Sequence, residues 1–170
     1  MIKNIPNKVD EAAEVNRAQI EHRATWMALI YDELKKTGAD AQAILRRAIR
    51  RCGSIHGDAI KKKCGDAAGN AAAADCSVFC SAFLSALVVK TFDMRPIDAQ
   101  KDSLFVDFHY CPLVTAWQKL NINDAGCALL CDIAMEGDRG IADAMGLKLE
   151  LPETIAAGND TCKLRFKKAQ

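Results

Sequence analysis

The stretch Ser103-Leu-Phe-Val-Asp-Phe-His-Tyr-Cys-Pro112 alternates with period two, the mark of a β-strand with two different faces. Leu104, Val106, Phe108 and Tyr110 point one way; Asp107, His109 and Cys111 point the other. A carboxylate, an imidazole and a thiol therefore share a face in the order that cysteine–histidine catalysis requires. The base takes the thiol proton and the acid fixes the imidazole tautomer. Same-face neighbours on a strand lie roughly 6–7 Å apart at the backbone, so a hydrogen bond from His109 to Cys111 needs the side chains to lean together. The plain alternative is a solvated sheet face, which a cysteine suits poorly because free thiols are usually buried. Pro112 ends the strand, having no amide proton for the ladder.

Other period-two segments lie around this strand. Residues 89–97 pair with 103–110 across a turn at 98–102. Residues 147–151 and 161–167 form a second antiparallel pair. One antiparallel sheet with helices on its apolar face is expected. Helical spacing predicts a first helix over about 8–36, with Ile20, Ala24, Met27, Ile30, Tyr31 and Leu34 as its stripe and Gly38 closing it. A second helix is expected from Asp40 to Arg51, ended by Gly53. Gly65 to Ala74 reads as a loop or frayed helix. A third helix, from Asp75 to Val89, is apolar nearly all round and reads as central and buried. A short helix near 113–120 and a longer one near 124–145, interrupted at Gly137 and Gly140, complete the set. The class is α+β: N-terminal helices, then a β-β-α-α-β-β half with an antiparallel sheet. A single domain over residues 1–170 is expected, helical to about 88.

Composition narrows the function. A net charge of +1 and 6% aromatic residues leave no basic, stacking surface for nucleic acid. No secretory signal precedes residue 14 and no apolar run is long enough to span a bilayer, so a cytoplasmic protein without membrane contact is expected. Eight cysteines in such a chain are not a disulfide framework, and the absence of C-x-x-C argues against zinc-knuckle and thioredoxin chemistry. Neither a metal nor another cofactor is expected. The i,i+4 pairs Cys76/Cys80 and Cys127/Cys131 suit core packing. Arg46, Arg47, Arg50 and Arg51 line one side of the second helix and read as a solvated basic face.

Two further segments carry chemistry. In Cys131-Asp-Ile-Ala-Met-Glu-Gly-Asp-Arg-Gly140, Asp132 and Glu136 are like charges at i,i+4, and Arg139 can offset them. In Gly158-Asn-Asp-Thr-Cys162, turn residues lead into a strand that Cys162 opens on its apolar face. Cys111 sits on the polar face of its own strand. A shared site therefore requires one of these alternations to break at a strand end.

Phe108-His-Tyr-Cys-Pro-Leu-Val114 with Trp117, Cys131 to Gly140, Leu149-Glu-Leu-Pro-Glu-Thr-Ile155 and Gly158 to Phe166 resemble the L-2-amino-thiazoline-4-carboxylic acid hydrolase family. The likeness covers roughly the C-terminal half; His22-Arg23, Trp26 and Tyr31-Asp32 extend it into the first helix. It implies hydrolytic opening of a small cyclic amidine-like ring bearing a carboxylate, to give a carbamoyl-cysteine. The ring carbon between sulfur and nitrogen would be attacked by Cys111 or by water activated through His109, with Asp107 orienting His109. Glu136 or Asp138 would supply the proton to the leaving atom. Arg139 would hold the substrate carboxylate, and Tyr110 and Cys162 would line its site. The partner is a small molecule, and a homo-oligomer is compatible. The alternative is a non-catalytic, cysteine-rich metal- or small-ligand-binding or sensor domain, in which His109 and Cys111, with Cys162 or Cys127/Cys131, hold the ligand. A third is a structural or interaction module with inert buried thiols.

Overall fold

The structure, a computed structural model, describes residues 1–68 and 75–168. Helix α1 (Glu11–Lys36) begins where Asp10 caps it, its carboxylate accepting from the Ala13 amide. Helix α2 (Ala41–Ala68) follows, then α3 (Cys76–Phe83), α4 (Ala86–Phe92), β1 (Met94–Ala99) and β2 (Ser103–Phe108). Helices α5 (Pro112–Lys119), α6 (Asp124–Ala134) and α7 (Glu136–Ala144) lead to β3 (Leu147–Glu150), a 3-10 turn at Ile155–Ala157 and β4 (Cys162–Lys168). The four strands form one antiparallel sheet in the order β1-β2-β4-β3, as the alternation predicts. Leu104 and Val106 of β2 face inward with Leu164 and Phe166 of β4 and Leu147 of β3. Phe79 and Phe83 of α3 stack on each other and both meet Phe166 edge-on, which seats α3 on that face.

Several helix boundaries depart from expectation. Gly53 does not end the second helix: α2 runs through Gly53 and Gly57 to Ala68, covering the start of the segment expected to be a loop, whose remainder lies outside the described residues. The glycines serve packing. A Cβ on Gly53 would stand 2.0 Å from the Gly137 carbonyl oxygen, one on Gly57 2.6 Å from the Ala144 Cβ, and one on Gly140 2.3 Å from the Arg50 carbonyl oxygen. Helices α2 and α7 thus cross almost backbone to backbone. Each helical glycine costs about 1 kcal/mol in propensity, which the close crossing offsets. The break in the long final helix falls at Met135, between α6 and α7, and not at Gly137 or Gly140.

The expected third helix is two. Leu84 turns extended, and Ser85 caps a new helix, its hydroxyl accepting from the Val88 amide. The β-branched run that suggested a strand from 89 is therefore helical to Phe92. Asp93, in the left-handed region at φ 48°, turns the chain into β1. Nor is this region central. Only Cys76 and Phe79 of α3 and Thr91 of α4 are fully buried, and Leu87 is 39% exposed.

Candidate functional site

The alternation of the second strand stops at Phe108, and this decides the site. Beyond it the chain is held by the His109 amide on the Asp93 carbonyl and the Tyr110 amide on the Phe92 carbonyl, not by the strand ladder. Cys111 becomes the residue preceding Pro112 at the start of α5, in extended conformation, and the residue is buried, at 8% exposure. The register pairs Phe108 with Cys162, so Cys162 opens β4 beside the point where Cys111 leaves β2. The break required by the opposed faces of Cys111 and Cys162 is thus at the end of β2.

Three thiols converge there. Cys111, Cys131 and Cys162 are all buried; Cys131 lies within reach of the charge of both others, and Cys162 within reach of that of Cys111. Burial pushes the Cys111 thiol up to about 11, and the Asp138 charge adds to this; the amides of Val114 and Leu113 in the first turn of α5 pull the other way. Cys162 is pushed up to about 12 by burial and then by Cys111, although the Ile155 amide donates to its sulfur at 3.2 Å. Burial also raises Cys131, next to which Thr154 offers a hydroxyl. At neutral pH all three rest as thiols. Among the described residues no three His, Cys, Asp or Glu side chains stand so as to hold a metal ion.

Asp138, in the first turn of α7, is the carboxylate of this group. Burial lifts it to about 6, against the pull of the Arg23 and Arg139 charges. It makes no ion pair among the described residues, unlike every other charged member of its segment. Arg139 is bound by Asp132 and Glu136, each at 2.6 Å. Arg50 holds Glu136 at 2.7 Å and Asp143 at 2.6 Å; Arg46 holds Asp132 at 2.6 Å. Glu136 is partly buried, yet Arg50 and Arg139 hold it below the usual carboxylate range. The basic side of α2 is therefore only in part a solvated face: Arg46 and Arg50 join it to α6 and α7, while Arg47 and Arg51 are exposed and form no ion pair among the described residues.

The expected Asp107–His109–Cys111 row is not assembled. Asp107 pairs with Arg165 of β4 at 2.5 Å on the outer face of the sheet. His109 points its Nε2 at the Arg95 carbonyl oxygen, 2.7 Å away, and donates there. No hydrogen bond among the described residues links it to Cys111. Tyr110 is buried with its hydroxyl on Thr115 and its ring under the Arg17 guanidinium, 4.3 Å from the centroid. Of the residues expected at the site, the structure brings together Cys111, Cys162 and Asp138, adds Cys131, and separates Asp107, His109, Glu136 and Arg139 into other contacts.

Arg23 is the cation that sequence reading passed over. It lies on α1 beside Ala24, whose carbonyl accepts from the Trp117 indole at 3.1 Å and so ties α1 to α5. It is exposed, forms no ion pair among the described residues, and is the largest charge favouring ionised Asp138. Its one sequence signal is its place in the His22-Arg23 pair.

A subunit 3 of a trafficking protein particle complex from Naegleria fowleri, covalently bound to palmitic acid, shares the fold at a TM-score of 0.50. The two are 11% identical over 88% of this chain and 97% of that one. No curated protein matches the chain. No helix among the described residues is long and apolar enough to cross a membrane. The model of the family L-2-amino-thiazoline-4-carboxylic acid hydrolase matches residues 17–166, nearly the whole length and all of the cluster just described. The chain belongs to that family.

Proposed function

We propose that the protein opens a small cyclic amidine of the 2-amino-thiazoline-4-carboxylate type, with Cys111 and Asp138 as the reacting pair. The observation that carries this reading is the family match over 17–166, which spans Cys111, Asp138 and Arg23 together. Membership implies a ring-opening hydrolase acting on a small molecule; the assignment of residues is drawn from their surroundings. Arg23, positive and without an ion pair among the described residues, suits the substrate carboxylate, a role that Arg139, held between Asp132 and Glu136, is poorly free to take. Asp138 is ionised above about pH 6 and faces the cationic amidine. It accepts the proton released when the Cys111 sulfur, or a water, attacks the ring carbon between sulfur and nitrogen. The same carboxyl returns that proton to the ring atom that leaves; where Cys111 has attacked, water then adds to that carbon, the Cys111 sulfur–carbon bond breaks and the thiol takes back a proton. One water is consumed, one ring bond to that carbon breaks, and a carbamoyl-cysteine results. A positive substrate beside Asp138 also offsets the carboxylate charge that adds to burial in raising the Cys111 thiol.

The second reading, a cysteine-rich ligand-binding or sensor domain, draws support from the meeting of Cys111, Cys131 and Cys162. Turnover separates the two. Reduced, folded protein given 2-amino-thiazoline-4-carboxylate is expected to release a carbamoylated cysteine. Cys111→Ala is expected to lower kcat/KM by about 10²-fold or more. Arg23→Ala is expected mainly to raise KM, because a carboxylate anchor acts in ground and transition states alike. No turnover of this ring or of related cyclic amidines would remove the hydrolase reading and leave the binding domain.

A further inference from the structure

Residues 1–9 precede the first helix and run past the start of α5, where Asn4 meets Cys111 across the fold. The Asn4 carboxamide oxygen accepts from the Cys111 amide at 2.9 Å. Its nitrogen donates to the Cys111 carbonyl at 2.8 Å and to the Thr115 hydroxyl at 2.9 Å. One side chain thus imitates a neighbouring strand at Cys111, beyond the end of the β2 ladder. Thr115 donates onward to the Tyr110 hydroxyl at 2.9 Å, and the Tyr110 ring lies under buried Arg17. Arg17 is itself tied to the Asn7 carbonyl at 2.9 Å and to the Asn7 side chain at 2.6 Å, which returns the network to the same N-terminal segment. Within α5 the Cys111 carbonyl accepts from the Thr115 amide at 3.2 Å, and the Val114 and Leu113 amides lie on the thiol side. Asn4 thus supplies the acceptor for the Cys111 amide and a second donor to its carbonyl from outside α5, without occupying the sulfur, which feels the Asp138 charge.

We infer that Asn4 is a positioning residue for Cys111: it holds the backbone that aims the sulfur without touching substrate. The inference rests on Cys111 being the reacting thiol. A carboxamide is suited to the task because it supplies an acceptor and two donors at once, and all three are used. Burial of a polar side chain between α5 and the chain start is otherwise unfavourable, so full satisfaction is what makes the contact stable.

The test uses the full chain carrying Asn4→Ala, Asn4→Asp and, as control, Gln118→Ala. Gln118 ties the same segment to α5 through the Ile2 carbonyl at 3.3 Å but does not touch Cys111. Two readouts are taken: site-resolved alkylation of each cysteine against pH by mass spectrometry, and kcat and KM separately. Asn4→Ala is expected to change the alkylation rate of Cys111 about 5-fold or more, leaving Cys64 and Cys76 as in wild type, and to lower kcat about 10-fold with little change in KM. Asn4→Asp keeps the acceptor and loses both donors, so it should fall between; it also serves if the alanine variant does not fold. Gln118→Ala should match wild type in both readouts. Identical Cys111 alkylation in wild type and both Asn4 variants overturns the inference, as does an equal effect of Gln118→Ala, which would make the segment a mere strap. Alkylation needs no substrate, so absence of wild-type turnover would defeat the proposed function while this readout still decides the role of Asn4.

Discussion

Asp132 and Asp138 lie in one short stretch and end in opposite states. Asp132, exposed, is held ionised by Arg139 and Arg46, whereas Asp138 has no ion pair among the described residues and is raised by desolvation. Stored instability at Asp138 follows. Its folded value of about 6 stands above the ordinary 3.8, so the folded state holds the proton more tightly. Stability tied to that proton is fully present below pH 3.8 and is lost as pH rises through about 6. Asp138→Asn is therefore expected to stabilise the protein at about pH 7 by roughly 1–2 kcal/mol, after discounting for partial exposure, and to change little at about pH 4. Urea unfolding at the two pH values checks this, and an equal effect at both would show that the gain is not ionisation. Sequence reading singled out Cys111 and Asp138 but gave Cys111 the wrong neighbours. Its partners depend on where strand geometry ends, and the alternation of residues 103–111 carries no sign that Phe108 is the last member of the ladder.

At the scale of elements, the glycines show why helix limits were harder to read than strands. Gly53 reads locally as a stop, yet it marks the closest approach of α2 to α7, a contact with a segment far along the chain. Gly53→Ala would drive a Cβ into the Gly137 carbonyl, backbone against backbone, and is expected to cost about 2–4 kcal/mol. Gly65→Ala, on the same helix with nothing within 4 Å, should instead stabilise. That gain should be up to about 1 kcal/mol. Thermal unfolding of both variants measures the contrast; similar shifts would mean that helix propensity alone governs. The strands were legible because their period is short and one face is buried: β2, β3 and β4 fall where alternation places them. β1 starts late because a serine cap and a left-handed aspartate, both local, outweigh the β-branched run before it.

For the whole molecule, the α+β order and the antiparallel sheet were readable from pattern, while the meeting of α1, α5, α7 and the N-terminal segment around Cys111 was not. That meeting depends on single polar contacts between distant residues, such as Asn4 with Cys111 and Trp117 with the Ala24 carbonyl. The family resemblance in the C-terminal half is borne out over residues 17–166. In the proposed function Cys111 works with Asp138 and not with His109. The most direct test of this pairing is kcat/KM for 2-amino-thiazoline-4-carboxylate across pH, in wild type, Cys111→Ala, Asp138→Asn and His109→Ala. The expected result is a wild-type profile rising through about pH 6, losses of about 10²-fold or more in Cys111→Ala and Asp138→Asn, and less than about 10-fold in His109→Ala. A His109→Ala loss as deep as that of Cys111→Ala, with Asp138→Asn at wild-type rate, would contradict it.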